Sequence, residues 1–349
     1  MRIALKLLCS AIAITLAAPV MADTAPAAPV SGAPVYAVVA RIPGADGGWD
    51  YAAVDPVRGR LYVARTDAVM AVDLASGKVT DHFAPATRAH AALPIDQGRT
   101  LLETDGTSGL TRFIDADSGK TLAEVATGKK PDAAFVDHAT GLVVVMNPGS
   151  NSVALIDPKT HALVRAIAVP GGLEAGEGDG HGHAWVNLEE ANALAEIDLK
   201  AGTLVRTVAL DGCDGPTGLA LIGGATRVLS ACSNGVVTVV DTASGKLVQT
   251  LAVGAGPDAV IVDGPRGLAF VPSGQAGTLS AISIADPAHL RVVATIPTQK
   301  GARTGAVDPR TGILYLPTAT MVPAANGTDR PRPAPGSFVV LVVAPKPVN

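Results

Sequence analysis

A repeat of about forty-two residues constrains the fold of this 349-residue chain more than any other feature of its sequence. Each copy is marked by an apolar residue, an aspartate and then a turn. Consecutive marks lie 42, 42, 41 and 43 residues apart, at Asp73, Asp115, Asp157, Asp198 and Asp241, and Ser283 takes the same place in a sixth copy. Repeats of this length are typical of solenoids and propellers.

Each copy is divided into short β-rich segments separated by Gly, Pro, Asp and Ser, with no amphipathic stretch of helical length between them. This pattern predicts four strands per copy, as in a propeller blade. Seven copies begin near Asp50, His90, Asp132, Glu174, Thr217, Asp258 and Arg303. We therefore predict an all-β fold, a seven-bladed β-propeller.

The seventh copy lacks its outermost strand. An insertion rich in Pro, Ala and Gly occupies residues 321–337, and one strong predicted strand, residues 338–343, follows it. Residues 35–42 form an unassigned strand that could complete this blade and close the ring, which would remove exposed sheet edges. The sequence thus predicts a propeller over residues 35–344 and a C-terminal tail over residues 345–349.

The first residues predict export. Arg2 and Lys6 form a basic start, residues 7–16 form an apolar run, and small residues ending at Ala22 form a cleavage signal. These features predict a secretory signal peptide over residues 1–22, followed by a flexible segment over residues 23–34. No later apolar run reaches the roughly twenty residues that a membrane span needs. We expect a monomeric protein in the periplasm or outside the cell.

The composition of the mature chain argues against nucleic-acid binding. Cleavage after Ala22 leaves 25 basic and 31 acidic side chains, a formal charge of −6, and only 3% of residues are aromatic. Nucleic-acid binding uses basic grooves and stacking aromatic side chains. We expect a small molecule or a periplasmic protein as the partner instead.

Several segments of the chain match motifs of one repeat family. They are Gly48-Trp49-Asp50-Tyr51, Val54-Asp55-Pro56, Pro131-Asp132, Val186-Asn187-Leu188-Glu189, Gly215-Pro216-Thr217-Gly218, Pro257-Asp258 and Gly301-Ala302-Arg303-Thr304. On these residues the chain resembles the YVTN family of bacterial propellers, the YncE-like group, over nearly all of the mature sequence. The resemblance implies a seven-bladed periplasmic or secreted protein and supplies no agreed reaction. The fourth repeat departs from it, with Gly172-Leu173 before Glu174 and with His181 and His183 in the next turn.

The same repeat position of every blade should contribute to one ring at a mouth of the central channel. That ring consists of Asp50, His90, Asp132, Glu174, Thr217, Asp258 and Arg303. The ends of the second strands give a further ring at the same face, Arg65, Asp105, Asn147, Asn187, Cys232, Pro272 and Pro317. We expect ligand binding by Asp50, Tyr51, His90, Asp132, Glu174, Asp258, Arg303, Asn147 and Asn187. The alternative is that the acidic ring residues only cap turns.

Carboxylates that converge at short range repel one another, so either their pKa values shift or a cation binds between them. Carboxylate and amide oxygens are ligands that Ca²⁺ and Mg²⁺ prefer. Asp132, Glu174, Asn147 and Asn187 are therefore the candidate metal ligands, and a divalent cation is the only cofactor that these residues indicate. His181 and His183 form a His-x-His pair, but two ligands do not make a metal site.

Support for catalysis is weaker. The chain contains no Gly-x-Ser-x-Gly nucleophile motif. His90 with Asp132 or Glu174 could act as an acid/base pair, as in metal-assisted propeller lyases and lactonases, or could simply bond to a neighbouring blade. Trp49 and Tyr51 flank Asp50 and could stack a small ring, whereas Trp185 is expected to pack between blades. No catalytic residue is assigned.

Two cysteines remain after cleavage, Cys213 and Cys232. Cys213 precedes the inner strand of the fifth blade and Cys232 ends the next strand, so both should lie at one face. An oxidising compartment then favours a disulfide between them. Our leading hypothesis is a periplasmic binding or scaffold protein that presents a polar channel mouth to a small ligand or an envelope partner. The alternatives are a metal-assisted hydrolase or lyase and an accessory protein of a periplasmic oxidoreductase.

Overall fold

The structure is a computed structural model that describes residues 35–322 and 332–346. The predicted signal peptide, the segment 23–34, part of the insertion 321–337 and residues 347–349 of the predicted C-terminal tail lie outside the described residues. Seven four-stranded antiparallel sheets contain 28 of the 30 strands in the described residues, and the prediction of a seven-bladed, all-β propeller is confirmed. None of the helices in the described ranges is long and apolar enough to cross a bilayer.

Blades 1 to 6 are each built from four consecutive strands, which run from the channel outward. Blade 1 consists of Trp49–Asp55, Arg60–Arg65, Ala68–Asp73 and Val79–Pro85. Blade 2 consists of Ala89–Ile95, Thr100–Asp105, Leu110–Asp115 and Thr121–Ala126. Blade 3 consists of Ala134–Val136, Val143–Asn147, Ser152–Asp157 and Ala162–Ala168. Blade 4 consists of Leu173–Gly178, His183–Leu188, Ala193–Asp198 and Thr203–Ala209. Blade 5 consists of Pro216–Ile222, Arg227–Cys232, Val236–Asp241 and Lys246–Ala252. Blade 6 consists of Ile261–Asp263, Leu268–Ser273, Thr278–Ser283 and Arg291–Pro297. Short 3₁₀ turns occur at Asp96–Gly98, Pro148–Ser150 and Gly264–Arg266.

Blade 7 combines both ends of the described chain. Its inner three strands are Ala306–Asp308, Ile313–Thr318 and Val339–Pro345, and the outermost strand is Tyr36–Pro43. The N-terminal strand pairs antiparallel with Val339–Pro345, from Tyr36 opposite Pro345 to Pro43 opposite Val339. Two further short strands, Met321–Val322 and Arg332–Pro333, pair with each other at the described ends of the insertion.

The aspartates that mark the repeat are turn residues. Asp73, Asp115 and Asp241 each end the third strand of a blade and accept a hydrogen bond from the backbone N–H of the serine three residues later, at 2.8 to 2.9 Å. The serine hydroxyl donates to the same carboxylate at 2.6 to 2.7 Å. The repeat signal therefore comes from turn chemistry and not from the channel.

The hydrophobic core lies between neighbouring blades. Tyr62 of blade 1 packs with Leu101 and Ile114 of blade 2, and these side chains are fully buried. Trp185 of blade 4 packs with Val228 of blade 5, which confirms the prediction that Trp185 lies between blades. Because each blade shares its apolar faces with two neighbours, the ring is stabilised as one unit.

Candidate functional site

The ring residues are positioned by a β-bulge in several inner strands. In blade 1, Trp49 lies opposite Arg65 but Ala52 lies opposite Val63, so the inner strand carries one extra residue across Asp50 and Tyr51. The same extra residue occurs across the ring positions of blades 2, 4 and 5, at His90, Glu174 and Thr217. A bulge bends its strand and re-aims the side chain at that position.

Three predicted ring residues meet at the centre of the site. His90 Nδ1 lies 2.6 Å from Asp50 Oδ2 and 3.6 Å from Asp132 Oδ1. Burial opposes the charged imidazolium, but the hydrogen bond to Asp50 and the negative charges of Asp132 and Asp50 outweigh it, so the pKa of His90 is raised. The imidazole is thus a partner of carboxylates from both neighbouring blades.

Burial and mutual repulsion raise the pKa values of three ring carboxyl groups, those of Glu174, Asp132 and Asp258. Burial, with the charges of Asp132 and Asp258 added, raises the pKa of Glu174 to about 10. Burial and the charge of Asp50 raise the pKa of Asp132 to about 7, although the charge of His90 lowers it in part. Burial also raises the pKa of Asp258, to about 6, even though Arg303 Nε donates to its Oδ2 at 2.8 Å.

Tyr51 follows Asp50 in the inner strand of blade 1, and the charges of the ring carboxylates act on it. Its ring packs against the core cluster shared by blades 3 and 4, although Tyr51 belongs to blade 1. Burial and the surrounding carboxylates, Glu174 first among them, raise the pKa of its phenol well above the usual value. Tyr51 therefore extends across the channel below the ring. Trp49, by contrast, is 6% exposed in the core and lies against Phe338, so the expectation that it could stack a ligand is wrong.

Buried hydroxyl groups connect the backbones of adjacent ring positions. The Thr304 hydroxyl of blade 7 donates to the carbonyl of Asp50 at 2.7 Å, and the Thr104 hydroxyl of blade 2 donates to the carbonyl of Asp132 at 2.6 Å. The ring residue Thr217 serves the same purpose, since its hydroxyl donates to the carbonyl of Pro257 at 2.9 Å. Sequence reasoning missed Thr104 and Thr304, although each is adjacent to a predicted ring position.

Two charged residues outside the predicted ring also change the pKa values of ring residues. The charge of Arg88, two residues before His90, lowers the pKa values of His90 and Asp132. The charge of Glu189, two residues after Asn187, contributes to the raised pKa values of Glu174 and Asp258. Their positions next to ring residues were the only sequence signal that could have identified them.

The second predicted ring does not form a second set of channel groups. Arg65 donates to the carbonyls of Gly48 and Ala45, and its guanidinium lies 3.5 Å from the ring centroid of Phe338. Asp105 is fully buried and accepts from Thr87 and Arg112. Cys232 is bonded to Cys213. Pro272 and Pro317 lie in second strands and offer no polar side chain.

The two asparagines of that ring are tied into the packing. Asn187 is fully buried; its amide donates to the carbonyls of Thr217 and Gly218 at 2.9 and 3.0 Å, and its oxygen accepts from Ser230. Asn147 is also fully buried and donates to the carbonyl of Val145. Both side chains form hydrogen bonds to residues of their own blade or the next, so neither lies in the cluster around His90. Ligand binding by these two residues stays a prediction.

The residues best placed to hold a metal ion differ from the predicted set. Potential ligand atoms of Asp50, His90 and Asp132 all lie within 4.8 Å of one another, and in the described part of the chain they form the one group of this kind. Of the four predicted candidates, only Asp132 belongs to it. Two carboxylates and an imidazole are ligands that a divalent transition metal accepts.

His181 and His183 are not brought together with acidic groups into such a cluster. His183 Nδ1 lies 3.1 Å from Glu196 Oε1, while the backbone N–H of each histidine donates to Asp179. Cys213 and Cys232 form the predicted disulfide, which joins the segment just before the inner strand of blade 5 to the end of its second strand.

An axial cavity of about 320 Å³ is lined by the residues that follow the ring positions. All seven blades contribute, through Tyr51, Ala52, Ala53, Ala91, Ala92, Leu93, Ala133, Ala134, Ala175, Gly176, Gly218, Leu219, Ala259, Val260, Ile261, Gly305, Ala306 and Val307. None of these side chains carries a charge, and Tyr51 has the only polar side-chain atom among them. The site is therefore a charged mouth above an uncharged channel.

Comparisons with known proteins agree on the architecture. No family model and no curated protein matches the chain. Among solved structures, it is similar to a chain of the mitotic checkpoint complex (TM-score 0.72, 14% identity, 97% of this chain and 99% of the other) and to hydrazine synthase of Kuenenia stuttgartiensis (0.68, 16%, 87% and 97%). The WD40 repeats of RRP9 are also similar (0.69, 12%, 91% and 99%). At these identities the similarity shows the propeller fold alone.

Proposed function

We propose that this chain is an exported binding propeller of the YVTN type whose channel mouth binds a positively charged group. One observation carries the proposal: Asp50, Asp132, Glu174 and Asp258 face a mouth where Arg303 is the only ring guanidinium, and Arg303 already donates to Asp258. The pKa values of Glu174 and Asp132, raised to about 10 and about 7, mean that protons on these two groups would relieve part of this excess near neutral pH when no ligand is bound. A cationic ligand would replace those protons.

The electrostatic gain is large enough to support binding. A positive charge about 4 Å from one carboxylate gains about 4 kcal/mol at an effective dielectric constant of about 20. Each further carboxyl group that releases its proton when the cation binds adds to this attraction, and ionised carboxylates at the mouth also raise the encounter rate of cations. The proposal includes export of the protein by the predicted signal peptide. The disulfide is consistent with an oxidising compartment.

The proposal is tested by removing two carboxyl groups that a bound cation would ionise while keeping their shape. The double variant Asp132→Asn/Glu174→Gln retains the size and hydrogen-bonding capacity of both side chains. A thermal-shift screen of metal-stripped protein against cationic compounds and divalent ions identifies a binder, because a ligand at about a hundred times its Kd stabilises by about 2.7 kcal/mol. Calorimetry of that binder should then show at least a tenfold loss of affinity in the double variant.

A matched control removes the same charge at the opposite face. Asp117 and Asp286 are exposed and form surface ion pairs with Arg58 and His289, which contribute little to stability. The variant Asp117→Asn/Asp286→Asn should bind as the wild type does. Equal affinity in all three proteins would refute a channel-mouth site.

A second candidate is a divalent cation held by Asp50, His90 and Asp132, favoured by the 4.8 Å grouping of their ligand atoms. Such an ion would activate water for a metal-assisted hydrolase or lyase. In that case Zn²⁺ or Mn²⁺ should raise the melting temperature of stripped protein, and His90→Ala should abolish the shift. If no metal ion stabilises the protein, this candidate is excluded.

A further inference from the structure

The cavity beneath the ring indicates what kind of cation the mouth accepts. Twelve of its 18 lining residues are Ala or Gly, and the others are Leu, Val, Ile and Tyr51. A metal ion uses only the charged groups above and needs no such space. The volume of about 320 Å³ corresponds to on the order of ten water molecules. It also falls at the lower end of the range for small-molecule pockets.

Tyr51 connects the cavity to the mouth. It lines the cavity, and the charges of Glu174, Asp132, Asp258 and Asp50 all act on its phenol. A ligand that is held by the carboxylates and extends into the cavity therefore lies beside this aromatic side chain. An organic cation is attracted to an aromatic ring, by about 0.5 to 2 kcal/mol in favourable geometry.

We propose that the site binds an organic amine, with its ammonium group among the ring carboxylates and a narrow uncharged substituent in the axial cavity beside Tyr51. This inference rests on the proposed function and names its ligand class. An ammonium group has several N–H donors to share among Asp50, Asp132 and Glu174. The uncharged lining excludes a second charged group from the cavity, so amines with one charged end are preferred over diamines of similar length.

The test is a series of n-alkylamines measured by calorimetry at pH 7: methylamine, propylamine and pentylamine. Each added methylene that enters the cavity should raise affinity about three- to fourfold, as expected for about 0.8 kcal/mol per buried CH₂. Pentanol and pentanoate share the tail of pentylamine but lack the positive charge, and neither should bind measurably. The gain should disappear once the tail is longer than the cavity.

Two substitutions locate the tail and the aromatic contact. Ala53 lines the cavity and is absent from the core clusters of the described residues, so Ala53→Leu should fill space and remove the chain-length gain while methylamine still binds. Ala139→Leu, in an exposed turn, is its control. Tyr51→Phe should keep pentylamine affinity, whereas Tyr51→Leu should lower it about fivefold or more. Far-UV circular dichroism and melting temperatures establish that the variants are folded.

The outcomes separate this inference from the proposed function. If methylamine and pentylamine bind equally well, or if Tyr51→Leu binds as Tyr51→Phe does, the cavity is not part of the site and this inference is wrong. The proposed function would stand, because the mouth would still bind cations. If no amine binds but a divalent ion does, the organic-amine inference also fails. If no cation of either class binds, both proposals are refuted.

Discussion

At the residue scale, the ring carboxyl groups should make stability depend on pH in an unusual direction. Glu174 and Asp132 have pKa values raised to about 10 and about 7, so the folded state binds more protons than the unfolded state above about pH 4. The contribution of these two groups to the free energy of unfolding then falls as pH rises through this range. Turn aspartates such as Asp73 and Asp115 have lowered pKa values, so their stabilisation is lost only in more acidic solution.

We therefore predict that Glu174→Gln flattens the pH dependence of stability between about pH 5 and 9. Each proton whose binding differs between the states contributes about 1.4 kcal/mol per pH unit, and the variant lacks one such group. Urea unfolding at a series of pH values measures this slope. Glu190→Gln, at an exposed glutamate, should keep the wild-type slope. A slope unchanged by Glu174→Gln would show that Glu174 is ionised in the ligand-free protein.

A second prediction at this scale concerns Gly106, which allows His90 to occupy its position. A Cβ at Gly106 would lie 2.5 Å from His90 Nε2, so Gly106→Ala must move the imidazole relative to Asp50. Loss of that hydrogen bond should lower the pKa of His90, as followed by NMR titration. Gly264→Ala is the control, because a Cβ there meets nothing within 4 Å. An unshifted His90 titration in Gly106→Ala would contradict the packing described above.

At the scale of a single element, blade 5 is held by the disulfide between Cys213 and Cys232. Their separation of 19 residues closes a loop for which chain entropy predicts about 3 kcal/mol of stabilisation. The double variant Cys213→Ala/Cys232→Ala should lose about this much in urea unfolding. Intact mass after alkylation without reductant should show no free thiol in the wild type exported to the periplasm. Two alkylated thiols in denatured, unreduced protein would be evidence against the bridge.

Elements also differ in how well their sequence predicts them. The turns that begin at Asp73, Asp115 and Asp241 are local, because a carboxylate and a serine three residues away satisfy each other. The bulges at Asp50 and Glu174, by contrast, are not determined by residues close to them in sequence. A bulge depends on the register of the partner strand and on packing against the next blade, so periodicity alone does not reveal it.

At the scale of the whole molecule, the N-terminal strand Tyr36–Pro43 closes the ring through its pairing with Val339–Pro345. Tyr36 also reaches blade 6, where its ring lies 4.9 Å from that of Phe270. Deleting residues 35–43 should expose an edge of blade 7 and weaken this inter-blade contact. We predict a lower melting temperature for the entire propeller in a single cooperative transition.

Differential scanning calorimetry distinguishes the outcomes. Because neighbouring blades share their core clusters, loss of one strand should destabilise the ring as a unit and not only blade 7. A deletion variant that melts at the wild-type temperature would show that closure contributes no stability. Separate transitions for blade 7 and the rest would show that the blades unfold independently.

The sequence by itself determined the architecture: the repeat length, the number of blades, the strand that completes blade 7 and the pairing of Cys213 with Cys232. These features follow from local turn chemistry, strand periodicity and the position of each residue within its copy. The identity of the ring at the channel mouth followed from the same register. The predicted domain boundaries and signal peptide, which involve residues outside the described ranges, remain predictions.

Only the tertiary structure decided which ring residues act together. His90 meets Asp50 and Asp132 because bulges and inter-blade hydrogen bonds from Thr304 and Thr104 set the inner strands at that distance. Asn187 shares the predicted face but bonds to the next blade instead. Such differences depend on angles and contacts between blades far apart in sequence. A register can predict that two residues lie at one face, but packing determines whether their side chains meet.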